Sequence, residues 1–424
     1  MTTRASLPLL LLLLLSTQAL AQPAEVRIDV QSGTAQRLPI RCESFAPAGD
    51  RTARLTSVEA DEVLASDLER SPVFRVQRGW NERASAGLQP QFLATGKWQV
   101  QGGTVRLTGE LRELPSRNSV LVREYRASLT DWRRVVHQFA DDIVLQLTGE
   151  AGVASTRIAF VVRQGRDKEL WVMDADGHGA RELTSDRSLV QSPAWAPDGS
   201  LLLYTSYRGG GPQLWVMSPN DKRQFLVSGR PGLNTSGRYS PDGQRIACTL
   251  SQDGNAEIYT LDARGGSPRR LTNHRAIETS PCWSPTGREL AFTSDRSGTP
   301  QVYVMDSEGG NIRRLTYDVT YTDSPEWSPR GDRIVFVSRT GGGFDIYTCR
   351  PDGSGTQRVV ASGRNENPRW SPDGRQLVFT SDRDGQEGIW ITDLDGSPPR
   401  KLDVGGRRAL SPVWSPRLAG VASD

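Results

Sequence analysis

Apolar and polar positions follow two regimes along this chain. From Arg157 to Pro416 the pattern consists of short apolar runs, such as Ile158 to Val162 and Leu170 to Met173, separated by turns rich in Gly, Pro and Asp. Runs of this length between turn residues predict short β-strands. One passage recurs throughout: Thr279-Ser280-Pro281-Cys282-Trp283-Ser284-Pro285-Thr286-Gly287, followed by Arg288 to Arg296. Its aromatic anchor returns as Trp195, Tyr239, Trp283, Trp327, Trp370 and Trp414, at steps of 44, 44, 44, 43 and 44 residues. A period held over six copies marks a repeat architecture. Four short strands per period make up one propeller blade. Complete copies start near Ser192, Ser236, Ser280, Ser324 and Asn367. Before them stands a copy without its first strand (Arg157 to Thr184), and after them a lone first strand, Ser411 to Pro416. The fragments complement each other, so six blades are expected, closed by residues 411–416 pairing into the blade begun near Arg157; such closure leaves no long open edge.

The preceding stretch, residues 22–149, has no echo of this period and predicts a separate small α/β domain. Glu25 to Val30 alternates polar and apolar, as a short strand or extended arm does, and Leu38 to Phe45 reads as a second strand. Ser57 to Arg70 has helical spacing in Val58, Val63, Leu64 and Leu68. Trp98 to Val100 and Thr104 to Leu111 flank Gly102-Gly103, a hairpin signal, and Val120 to Ala127 reads as another strand. The clearest helix is Asp131 to Leu147, where Trp132, Val136, Phe139, Ile143 and Leu147 form one stripe. Thr130 or Asp131 can cap its start and Gly149 can end it.

Composition narrows the function classes. The 52 Lys and Arg nearly balance 49 Asp and Glu, for a net charge of +3, which argues against a nucleic-acid binder. The first 21 residues read as a secretory leader: Arg4, the apolar Leu7 to Leu15, then Ala19-Leu20-Ala21 as the cleavage site near Gln22. That apolar run is too short to anchor the chain across a bilayer, and an exported, soluble, monomeric protein is expected. Cys42, Cys248, Cys282 and Cys349 are expected as buried free thiols, because three of them fall at strand positions in different repeats.

The repeated polar residues have structural readings first. In Ser240 to Gly243 and Ser371 to Gly374, Pro presets φ, Asp bonds back to the backbone and Gly completes the reversal. The Trp anchors are read as packing between blades. Asp174 to Gly177 and Asp393 to Gly396 lack the further ligands and closing Glu of a calcium loop and are read as turns. Thr293 to Arg296 and Thr380 to Arg383 are read as turn caps. His137, His178 and His274 are too few and too scattered to suggest a metal cluster, and no Gly-x-Ser-x-Gly elbow, P-loop or dinucleotide fingerprint stands in context. No enzyme, cofactor or metal is expected. More informative are positions four before each anchor, Gln191, Thr235, Thr279, Asp323, Glu366 and Leu410, which share a place but differ in chemistry. If each first strand is innermost, these loop residues ring a mouth of the central channel, where binding surfaces arise.

The leader, small α/β domain and six blades together resemble the TolB family, periplasmic propellers of the Tol–Pal envelope system. The resemblance is most specific at Glu25-Val26-Arg27-Ile28, at Leu147-Thr148-Gly149 followed by Thr156 to Val162, and in the Trp-Ser-Pro-Asp-Gly cassettes. It implies a periplasmic adaptor, not an enzyme, supporting outer-membrane integrity and envelope constriction in cell division. The resemblance assigns the arm Glu25, Val26, Arg27, Ile28, Asp29 and Val30 to the inner-membrane partner TolA, engaged by strand addition. It assigns Leu233, Thr235, Ser236, Thr279, Asp323 and Glu366 to Pal, the peptidoglycan-associated lipoprotein. Leu233 departs from the His of the family pattern. The alternatives are a free-standing periplasmic ligand-binding propeller and an accessory protein of a peptidase or carbohydrate pathway.

Overall fold

The computed structural model describes residues 37–80 and 89–418. The leader and the arm Glu25 to Val30 therefore lie outside the described residues.

The N-terminal region is a mixed sheet with two helices. Its elements are β1 (Leu38–Cys42), β2 (Ala46–Ala48), α1 (Arg51–Arg70), β3 (Phe74–Arg78), β4 (Phe92–Gln101), β5 (Thr104–Glu113), β6 (Ser119–Ser128) and α2 (Trp132–Thr148). Sheet order is β3-β1-β4-β5-β6, with β2 also on β4; β1 runs parallel to β3 and β4, whereas β4-β5-β6 form an antiparallel meander. Trp98, Phe45, Phe139 and Tyr125 meet in its core. Helix α2 can lie close because β5 carries Gly109: a Cβ there would sit 2.6 Å from the Phe139 ring.

Two expectations are corrected here. Helix α1 starts at Arg51, six residues before Ser57, because Asp50 caps it by accepting from the amides of Thr52 (2.8 Å) and Ala53 (3.1 Å). Its buried stripe then runs through Ala53, Ala60, Leu64 and Leu68, leaving Val58 on the exposed side. Helix α2 ends at Gly149 as expected, with φ 77° and its amide on the Leu145 carbonyl at 2.8 Å. At the other end Asp131 makes no capping bond, because its carboxylate is taken by Arg134 at 2.6 Å.

Residues 157–414 form six four-stranded antiparallel blades. The sixth takes its innermost strand from the far end of the repeats: Ala409–Trp414 pairs with Arg157–Gln164, setting Trp414 against Ile158. Each first strand packs on the first strands of both neighbouring blades, so these strands line the channel. The anchors are buried or half-buried between blades, and several also stitch them. The indole of Trp283 donates to the Arg238 carbonyl (3.2 Å), that of Trp370 to Glu326 (3.2 Å) and that of Trp195 to Val413 (3.3 Å), each in the preceding blade. The Ser-Pro-Asp-Gly segments are turns: Gly243 has φ 71°, its amide bonds the Ser240 carbonyl at 2.8 Å, and Asp242 accepts from Gln244. All four cysteines are buried and unbridged. Among the described residues no helix is long and apolar enough to cross a membrane.

Candidate docking surface at the propeller mouth

The two ends of the propeller differ in occupancy. The N-terminal domain packs on the end that carries the Ser-Pro-Asp-Gly turns, against the fourth to sixth blades. Gln376, just after one such turn, donates to the Arg70 carbonyl at the end of α1 (2.9 Å), as does Arg400 (3.2 Å). Arg375 reaches Glu150 (3.1 Å), and Arg37 reaches Asp393 (2.7 Å). The start of every first strand opens on the opposite end.

There the ring positions come together, but as strand residues rather than loop residues. Gln191, Thr235, Thr279, Asp323, Glu366 and Leu410 each occupy the second position of a first strand, opposite Thr205, Thr249, Thr293, Val337, Thr380 and Val161. The following residue, Ser192, Ser236, Ser280, Ser324, Asn367 or Ser411, has φ between 50° and 56°. The strand register shifts at each of them. A bulge in the left-handed region bends a strand sharply, and here it recurs at one level of the channel wall. The sequence carried the signal: Ser or Asn holds this place in all six copies. Neighbouring blades are joined at this level. Thr293 donates to Asp323 at 2.9 Å and Thr205 to Thr235 at 3.3 Å, each across two blades, while within one blade Glu366 accepts from Arg364.

Two residues before each ring position stands the tip of an inter-blade loop. These tips are Leu189, Leu233, Ile277, Tyr321, Arg364 and Arg408, all at equivalent places. Of these, Leu233 alone is among the contact residues that the family resemblance implies. Leu189, Leu233 and Ile277, on three consecutive blades, are 40%, 39% and 52% exposed, which sets an apolar arc on one side of the mouth. Arg364 and Arg408 are exposed on the other side. Beside Arg364 lies an open depression of about 700 Å³, lined by Arg339, Phe344, Asp382 and the glycines 341–343 and 363.

The Ser-Asp-Arg elements hold these tips in place. Asp295 accepts from the Ile277 amide (2.8 Å) and Asp382 from that of Arg364 (2.7 Å); Ser251 does the same for Leu233 (2.8 Å). Ser294 and Arg296 both bond the buried Glu278 carboxylate, at 2.8 and 3.1 Å, while Ser381 and Arg383 bond Asn365, at 2.8 and 2.9 Å. Burial pushes the Glu278 carboxyl above its usual range, against the pull of Ser294 and Arg296. Deeper in, the residues preceding three anchors meet across the channel. Glu326 lies 3.5 Å from Arg369, and burial together with Arg369 lowers the pKa of Arg238. A rigid rim around a charged centre suits contact with a shaped partner surface.

Comparison with known proteins follows this architecture. The family model described as the TolB beta propeller domain matches residues 144–418. The chain is 39% identical over 228 residues to the Tol-Pal system protein TolB of Anaeromyxobacter dehalogenans strain 2CP-1, which covers 50% of this chain and 52% of that relative. It is 33% identical over 219 residues to the protein of the same description from Bordetella pertussis, covering 48% of each. The chain thus spans about half the length of the curated relatives it matches. The crystal structure of TolB from Acinetobacter baumannii superimposes with a TM-score of 0.79 at 25% identity, over 90% of this chain and 98% of that one.

Proposed function

The chain belongs to the TolB β-propeller family, and from that premise we propose that it is a non-enzymatic periplasmic adaptor of the Tol–Pal system, in which the propeller mouth opposite the N-terminal domain docks the lipoprotein Pal. The supporting observation is the asymmetry of the two ends. One carries the N-terminal domain, packed on the fourth to sixth blades; the other presents three exposed aliphatic tips, Leu189, Leu233 and Ile277. Below them stand Thr235, Ser236, Thr279, Asp323 and Glu366 as a polar floor. An apolar anchor arc with a charged rim is the composition of a protein-docking surface. In this reading Leu233 contributes apolar area, and the Arg364 side meets acidic groups of the partner. The arm Glu25, Val26, Arg27, Ile28, Asp29 and Val30 engages TolA by adding a strand to its sheet, so that the protein links an inner-membrane complex to the outer envelope and supports constriction during division.

Calorimetric titration with the soluble Pal domain of the same organism tests the mouth. Saturable binding is expected, weakened about tenfold or more by Ile277→Asp and also weakened by Thr279→Ala with Asp323→Ala. Absence of binding, or equal binding by these variants, would overturn the assignment. Deletion of residues 22–33 is expected to abolish binding of the TolA C-terminal domain and to leave Pal binding measurable.

A further inference from the structure

Where the N-terminal domain meets the sixth blade, a titratable cluster has no role in docking. His137, on α2, is 3% exposed. Its Nδ1 lies 2.6 Å from Asp67 Oδ2 on α1, and its Nε2 has no hydrogen-bond partner among the described residues. A ring nitrogen of His137 and a carboxylate oxygen from each of Asp174 and Asp176 lie within 4.8 Å of one another. With Nδ1 committed to Asp67, Nε2 is the nitrogen left to face them. Asp174 ends the third strand of the sixth blade and Asp176 lies in the turn that follows, so histidine and carboxylates come from different domains. Along the sequence the three histidines stand apart from any metal-binding group; tertiary folding adds carboxylates to one of them.

We propose that His137, Asp174 and Asp176 form a divalent transition-metal site of zinc type, with Asp67 holding the imidazole from behind, so that the ion ties the N-terminal domain to the propeller. Four observations converge on it. A buried ring nitrogen without a partner is rare in folded proteins. A carboxylate on the other ring nitrogen is the usual arrangement behind a metal-bound histidine, fixing tautomer and orientation. The Asp174 carboxylate accepts no hydrogen bond among the described residues, whereas Asp176 accepts from the His178 amide at 2.9 Å and pairs with Arg133. A cavity of about 40 Å³ lined by Asp67, Arg70, Asp176 and Gln376 lies alongside, large enough for a water ligand.

The charged groups around His137 and its carboxylates are Asp67, Asp174 and Asp176, with Arg133, with Arg157 beside Asp174, and with Arg70 3.6 Å from Asp67 and 3.9 Å from Asp176. One imidazole nitrogen with carboxylate oxygens suits zinc, whereas magnesium and calcium favour all-oxygen shells.

The test uses the whole chain, purified without a histidine tag and stripped with chelator, titrated calorimetrically with zinc chloride. Binding of about one zinc per chain is expected, with a higher thermal midpoint and no competition from magnesium or calcium. Asp174→Asn, which preserves size and is checked for folding by circular dichroism, should weaken binding about tenfold or more; His137→Gln should do the same. No saturable zinc binding, or binding unchanged in folded Asp174→Asn, overturns the site.

Discussion

Replacing Arg296 with alanine should loosen the third blade in a pH-dependent way. The Glu278 side chain is wholly buried and Arg296 is 18% exposed, with 3.1 Å between them. One Glu278 oxygen accepts from Ser294 and Arg296, while the other is buried without a partner among the described residues. Removing one member of a buried pair costs about 3–5 kcal/mol, and the partial exposure of Arg296 places this one near the lower end. Its guanidinium also lies 5.1 Å from the Tyr303 ring, adding about 0.5–1 kcal/mol. A loss of about 4 kcal/mol is therefore expected at pH 8. Glu278 already has a carboxyl pKa raised by burial, and losing Arg296 raises it further. A carboxyl raised in the folded state binds more protons folded than unfolded, so stability falls as pH rises. The penalty should therefore be largest at alkaline pH. It should shrink on acidification to the stacking loss of about 1 kcal/mol, once Glu278 is protonated in both proteins. Urea unfolding followed by tryptophan fluorescence at pH 5 and pH 8 measures this, with Glu278→Gln and the double variant completing a cycle. Equal losses at both pH values, or an Arg296→Ala penalty undiminished in the Glu278→Gln background, would refute the reasoning.

Three further outcomes follow from the packing. Trp414→Ala removes a buried anchor whose indole donates to Thr156 at 2.7 Å in the closing blade, and should cost about 3–5 kcal/mol by denaturant unfolding. Ser280 sits at φ 54°: Ser280→Val should destabilise by about 1–2 kcal/mol, whereas Ser280→Gly should be neutral or better, a contrast read from thermal midpoints. Gly109→Ala pushes a methyl to 2.6 Å from the Phe139 ring; a loss of about 1–3 kcal/mol is expected, visible as earlier unfolding of the N-terminal domain.

The repeated sequence already carries the propeller, its blade number and the pairing of 411–416 with the blade begun at Arg157. Those features are written as a period, and a strand's two-residue alternation and a turn's Gly and Pro are local. The sequence ahead of the repeats also carries the hairpin at Gly102-Gly103 and helix α2, whose stripe is long enough to be unambiguous. Strand β3 left no readable pattern. Its five residues earn their strand from parallel pairing with β1, a partner more than 30 residues away in the chain. The ring at the mouth was legible as a set of equivalent positions. Its chemistry was not, because whether Thr279 or Ile277 faces outward depends on a bulge and on an Asp from the neighbouring turn. The cluster of Asp67, His137, Asp174 and Asp176 was decided by tertiary structure alone. No spacing along the chain encodes it, since it exists only where two helices and a blade turn are brought face to face by the contacts between domains.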